Sequence, residues 1–170
     1  MITGSQVMLV ALDRPHLASS RAWANDPELM RLMDRAQPVS EAEHDAWFQS
    51  IHHRGDCAYF AIETSDASEH VGNIWLWAID RRHRKAELRV VVGSAAARGR
   101  GMGAEAIDLL CRHGFERLNL HRIYAYVLAN NSPARRAFER AGFVVEGTLR
   151  DDRWDGAEFS DAYLLARVSG

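Results

Sequence analysis

The sequence predicts an α+β fold, a central mixed β-sheet with helices on both of its faces. Three observations lead there. Short runs rich in β-branched and apolar residues recur at strand length. Longer amphipathic stretches with helical spacing separate some of them. Their order is strand, helices, three strands, helix, strand, helix, two strands. A three-strand meander followed by β-α-β-α-β mixes antiparallel and parallel neighbours. The chain has 170 residues, 47% hydrophobic and 26% charged, which suits one folded domain over 1–170 and argues against disorder.

Each element has a local reason. Residues 7–12 form a short apolar run that fits a first strand. Asp13 then offers an N-cap and Pro15 suits an early helical position. A helical pattern is expected from there to about Ala36, broken near Asp26 and Pro27. Ser40 with Glu43 three residues on is a capping box. The helix it starts is expected to reach about His53, with Ala46, Trp47 and Ile51 inward. Residues 58–64, 71–79 and 86–92 read as strands, with a polar turn at 80–84. Residues 103–118 form a long amphipathic stretch with Ala106, Ile107, Leu110, Cys111 and Phe115 at helical spacing. Residues 123–128 read as a strand. Ser132 and Pro133 open a further helix, which a glycine stop ends near Gly142. Residues 143–149 and 159–168 close the chain as two strands, turned at Asp155 and Gly156.

Composition excludes several classes. A formal net charge of −2 makes no electrostatic case for nucleic acid or an anionic membrane as partner. No apolar stretch approaches the roughly 20 residues that span a bilayer, and no signal peptide is evident, so the expectation is a soluble cytoplasmic protein. Cys57 and Cys111 form neither a disulfide framework nor a metal motif. His52 and His53 are adjacent, which does not place two ligands on one helix face, so no metal is expected.

The motif with chemistry in it is Arg98-Gly99-Arg100-Gly101-Met102-Gly103. Three alternating glycines stand between a strand and a helix. Amides there are unpaired and meet the positive end of the helix dipole, which favours a phosphate. A Walker A loop needs Lys-Ser/Thr after its last glycine, and here Ala104 and Glu105 follow. The dinucleotide fingerprint matches at Gly99, Gly101 and Ala104. It also wants an acid at the tip of the next strand, which ends Leu128-Ala129-Asn130.

These residues resemble the GNAT superfamily of N-acetyltransferases. Arg98 to Gly103 is similar to its Q/R-x-x-G-x-G/A signature. Asn131-Ser132-Pro133-Ala134, Phe138 and Gly142-Phe143 resemble its N-x-x-A/S…Y/F-x-x-x-G-F helix. The element order agrees from residue 7 to the end. Asn25-Asp26-Pro27-Glu28, the helix around His44 to Phe48, and Glu146-Gly147-Thr148-Leu149-Arg150 resemble the branch of ribosomal-protein N-terminal, spermidine and amino-sugar acetyltransferases. The resemblance implies the GNAT acyl-CoA N-acyltransferase fold. It also implies acetyl-CoA as co-substrate, a small-molecule or peptide amine as acceptor, and compatibility with a homodimer.

It further implies roles residue by residue. The glycine turn, with Arg98, Gly99, Arg100, Gly101, Met102, Gly103 and Ala104, holds the pyrophosphate. The preceding strand pairs with the pantetheine arm, and an N–H near Val91 or Val92 faces the thioester carbonyl. Asn131 contacts CoA or caps its helix, and Phe138 packs against CoA or the core. Glu87, eleven residues before Arg98, is the candidate general base or else the partner of Arg89 or Arg84. Many family members carry Tyr where this chain has Phe138, and Phe has no proton to donate. Ser132, Tyr124 and His121 are the candidate acids in its place. Trp75 and Trp77 share a strand face and are either core or acceptor-pocket wall. Two other readings stay open: a non-catalytic acyl-CoA-binding module and a dinucleotide-dependent oxidoreductase.

Overall fold

The computed structural model describes residues 1–33, 35–154 and 156–170. Its eight strands form one sheet: β1 (Ile2–Thr3), β2 (Val7–Ala11), β3 (Ala58–Thr64), β4 (His70–Asp80), β5 (Lys85–Val92), β6 (Arg122–Leu128), β7 (Val144–Trp154) and β8 (Phe159–Val168). The spatial order is β1-β2-β3-β4-β5-β6-β8-β7. Every neighbouring pair is antiparallel except β5 and β6. The helices are α1 (Leu17–Ala24), α2 (Pro27–Leu32), α3 (Glu41–Ile51), α4 (Met102–Glu116) and α5 (Ser132–Arg140). This is the expected α+β architecture with a mixed sheet. No helix among the described residues is long and apolar enough to cross a membrane.

The two faces of the sheet carry different cores. Ile74, Leu76, Ala86, Leu88 and Ile123 turn their side chains toward α4, whose Ala106, Ile107, Leu110 and Cys111 are fully buried against them. Full burial of each large aliphatic contributes roughly 1.5–3 kcal/mol. A smaller cluster on the opposite face joins Leu12 and Ala61 to Phe48 and Ile51 of α3. Alternation along the strands delivers one set of side chains to each face.

Several boundaries differ from the sequence reading. The helical pattern after Asp13 is a 3-10 turn, Arg14–His16, followed by two short helices, and it stops at Leu32 rather than near Ala36. Asp26 caps α2 through a bond from the Leu29 amide, which is the break expected there. In α3 the buried residues are His44, Phe48 and Ile51, while Ala46 is exposed. His44 has replaced alanine in the inward set because positions 44, 48 and 51 share one helix face. Strand β1, two residues long, carries too little periodicity to be read from sequence. Strand β7 runs five residues past Leu149, across an irregularity where Asp151 takes φ 50°. Asp155 lies outside the described residues; Gly156 beside it has φ 101°.

Candidate active site

Strands β5 and β6 stay paired for three rungs only: Lys85 with Arg122, Ala86 with Ile123, Glu87 with Tyr124. β5 continues to Val92 and β6 to Leu128, but no further rung joins them. Their outer edges are fully used, by β4 and β8 respectively. A wedge therefore opens in the middle of the sheet, with main-chain donors and acceptors on its inner edges. Buried backbone groups need partners, so such a wedge fits a ligand that brings its own amides.

The glycine turn follows the far end of β5. Gly99 and Gly101 have φ +74° and +84°, left-handed values that other residues adopt at a cost of about 1–2 kcal/mol. Gly101 is the N-cap of α4 and has no side chain to cap it. By contrast, Asp26, Ser40 and Asn131 cap α2, α3 and α5 with side-chain oxygens. The first turn of α4 thus presents the amides of Met102, Gly103 and Ala104, aligned with the helix dipole, to whatever anion arrives. Arg98 holds the turn in place: Nε donates to the Val92 carbonyl at 3.0 Å and Nη2 to the Gly93 carbonyl at 3.1 Å. Its guanidinium is thereby committed mainly to the end of β5, with Glu28 at 3.7 Å. Arg100 is exposed.

A cavity of about 660 Å³ fills the wedge and continues onto the α3 face. That is ample for an amine of a few hundred daltons. Val91, Asn131 and Phe138 line it, and so does Glu87, whereas Val92 and the whole turn from Arg98 to Ala104 lie outside its lining. Asn131 uses Oδ1 to accept from the Ala134 amide at 3.2 Å, which leaves its NH₂ for a second partner. Phe138 is buried, edge-on to Phe143. The side chain of Glu87 is 12% exposed and pairs in bidentate fashion with Arg89, at 2.7 and 3.1 Å. Glu87 therefore faces the cavity while paired with Arg89; Arg84, the other expected partner, is bonded to Asn119 instead.

The candidate acids are arranged otherwise. Ser132 is exposed at the start of α5 and does not line the cavity. Tyr124 sits opposite Glu87 on the last paired rung, outside the lining; burial, then the Glu87 charge, pushes its phenol up. His121 is exposed and bonded to Ser169. Tyr126, two residues beyond Tyr124 and on the same strand face, does line the cavity and is 42% exposed. The sequence reading missed it, although its alternation with Tyr124 was the available signal.

The remaining wall is aromatic. Trp47 meets Tyr59 edge-on at 5.6 Å, and Tyr59 stacks on Trp75 at 5.3 Å and 12°. Trp75 and Trp77 are half-buried cavity residues, not deep core. Burial pushes the Tyr59 phenol up to about 12. Trp23 closes the end of β5 by lying flat on Gly93, where any Cβ would collide with the indole. Behind it runs a polar network. His70 donates Nε2–H to Asn73 Oδ1 at 2.9 Å and accepts at Nδ1 from Ser19; Asn73 donates to Ser20. Burial holds the His70 imidazole below its usual range, against the pull of that Asn73 bond.

Comparison with known proteins decides the family. A model of the GNAT acetyltransferase domain matches residues 6–144. This chain belongs to the GNAT acetyltransferase family. It is an acetyl-CoA-dependent N-acetyltransferase, moving acetyl to an amine. The spermidine N(1)-acetyltransferase of Escherichia coli K12 is 27% identical over 97% of this chain and 87% of its own length. The Vibrio cholerae spermidine N(1)-acetyltransferase is 28% identical, over 95% of this chain and 94% of its own. A crystal structure of the Vibrio cholerae spermidine N-acetyltransferase with CoA and spermine superposes with a TM-score of 0.89 at 25% identity. It covers 97% of this chain and 96% of that one. Among the described residues, no group of three or more His, Cys, Asp or Glu is placed to hold a metal ion.

Proposed function

We propose that this acetyltransferase, one catalytic domain, moves acetyl directly from acetyl-CoA to a primary amine inside the cavity. The observation that carries the reading is the β5–β6 wedge, whose cavity reaches the Glu87 carboxylate, together with the uncapped helix start that follows β5. The amides of Met102, Gly103 and Ala104 and the turn at Gly99 and Gly101 receive the pyrophosphate, with Arg98 as the turn's brace and Arg100 at its rim. The inner edge of β5 meets the pantetheine amides, and an N–H at Val91 or Val92 polarises the thioester carbonyl. Asn131 and Phe138 bound the arm on the α5 side. Acetyl-CoA supplies an activated acyl group when bound.

Glu87 removes the ammonium proton, directly or through water, since a free amine with pKa near 10 is mostly protonated at neutral pH. Arg89 orients that carboxylate. Tyr126 is the phenol best set to return a proton to the CoA thiolate, ahead of Tyr124 and Ser132. Neither thiol is set up as a nucleophile: burial pushes Cys57 up, and pushes Cys111 up to about 12. That supports transfer without an acyl-enzyme. Free thiols also suit a cytoplasmic enzyme. Self-association belongs to the same proposal, a structure of the Vibrio cholerae enzyme being described as dodecameric. A second reading, a polyamine as the acceptor, is favoured by the spermidine-acetylating relatives.

The test is thiol release from acetyl-CoA with a panel of amines, for the native chain and Glu87→Gln. The variant is expected to lose about 100-fold in kcat at neutral pH with acetyl-CoA affinity near native. Unchanged kcat would move the base elsewhere.

A further inference from the structure

The acceptor side of the cavity has a charge signature that bears on which amine it takes. Among the described residues, Arg35, Arg54, Arg89 and Arg153 line the cavity, and Glu87 is the one carboxylate that does. Glu87 is already held by Nε and Nη2 of Arg89. Arg54 gives Nε and Nη2 to Asp56 at 2.9 and 2.8 Å, and Asp56 lies outside the lining. The remaining Nη1 of Arg54 and of Arg89 makes no hydrogen bond among the described residues.

Aromatic faces attract ammonium groups, and this wall is aromatic. Its Trp77 face is already taken: the guanidinium carbon of Arg54 stands 4.1 Å from the ring centroid and that of Arg89 5.5 Å. A polycation would meet like charges there, with no unpaired carboxylate among the described lining residues to receive it. The unpaired N–H groups of Arg54 and Arg89 call for an acceptor, and a protonated alkyl polyamine has no lone pair to offer them.

We propose that the acceptor is an amine that also carries an anionic group, a phosphate or a carboxylate, held by Arg54 and Arg89 beside Trp77 while the amine reaches Glu87. Guanidinium groups match both anions through paired N–H donors. This assignment rests on the acetyl-transfer reading and narrows it.

The experiment compares matched amines in the thiol-release assay. Glucosamine against glucosamine 6-phosphate forms the phosphate arm, tyramine against tyrosine the carboxylate arm, and spermidine is the polycation. In at least one arm the member that carries the anionic group is expected to show about tenfold higher kcat/KM than its partner without that group and than spermidine. The arm that shows it names the anion. Arg54→Gln and, separately, Arg89→Gln should each reduce that preference by about tenfold while acetyl-CoA binding persists. Spermidine outperforming every anionic amine, or no preference within either pair, overturns the assignment. If no amine is turned over, the transfer reading fails, and titration of the same five compounds into the CoA-loaded protein still decides the acceptor class. Tighter binding of an anionic amine then supports the assignment, and equal or tighter binding of spermidine overturns it.

Discussion

On the side of the site proposed for the cofactor the groups on offer are almost all backbone: the free edge of β5 and, outside the cavity lining, the amides that begin α4 and the turn at Gly99 and Gly101. On the acceptor side they are almost all side chains: Trp47, Tyr59, Trp75, Trp77, Glu87 and Arg89, drawn from α3, β3, β4 and β5. Backbone recognition is indifferent to most substitutions but intolerant of a changed φ. Side-chain recognition is the reverse. One half of the site is therefore suited to a constant ligand, and the other can be re-lined for a different amine on the same sheet.

Substitutions can break this contrast. The largest effect is expected from Gly101→Val, which forces a β-branched residue to φ +84° at a cost of roughly 1–3 kcal/mol. A Cβ there has room, the nearest atom being Gln6 Nε2 at 3.8 Å, so the damage is to the amide geometry and not to packing. Acetyl-CoA affinity should fall by about 100-fold in a calorimetric titration, and near-native affinity would remove the turn from the site.

Trp75→Ala should do the opposite. It removes the ring stacked on Tyr59, so KM for the amine should rise about tenfold while acetyl-CoA affinity changes by less than about threefold. Steady-state kinetics beside the same titration would read both. A matched loss of both affinities would mean that the two walls are coupled.

Glu105→Gln sharpens the contrast by probing the support beneath the cofactor wall. The Glu105 carboxylate accepts from Ser5 N and Oγ, both at 2.6 Å, and from the Gln6 and Val7 amides at 2.8 and 3.1 Å. Burial raises its pKa, but these bonds outweigh burial and hold it below the usual carboxylate range. Its contribution is thus present above the unfolded-state value of 4.5 and lost as pH falls through the folded one. The variant should cost about 1–3 kcal/mol, a Tm loss of a few degrees at pH 7.

The smallest effect concerns the network behind the acceptor wall. His44, His70 and His113 all have imidazoles depressed chiefly by burial. The unfolded chain then binds protons first, so stability is full above pH 6.5 and declines as pH drops below it. His70→Gln should flatten that decline in a Tm series from about pH 7 to pH 5. An unaltered slope would assign it to the other two histidines.

Much of the geometry of the glycine turn was legible in the sequence. Three alternating glycines between a strand and an amphipathic helix are a local signal, because φ > 0 and an uncapped helix start are properties of a few consecutive residues. Ser40 with Glu43, and Asn131 with Pro133, were legible for the same reason, and both form the expected caps. The acceptor wall was not. Trp75 and Trp77 on one strand face could be placed as a pair, but whether that face met core or ligand depended on how far α3 stands from the sheet. Glu87 could be named, yet its simultaneous grip on Arg89 needed the rotamers of both side chains. Tyr126 alternates with Tyr124 in the sequence, but which of the two lines the cavity depends on where β5 and β6 part.

The sequence by itself determined the order of the elements from β2 onward, the caps of α2, α3 and α5, and the glycine turn before α4, all set by backbone preferences within a few residues of one another. Only the tertiary structure decided that β5 and β6 part after Glu87 and Tyr124, that Tyr126 and not Tyr124 faces the opening, and that two arginines share the face of Trp77. Those facts depend on strand register and on contacts between residues far apart in the chain. A one-residue shift in such pairing would send each side chain to the other face of the sheet.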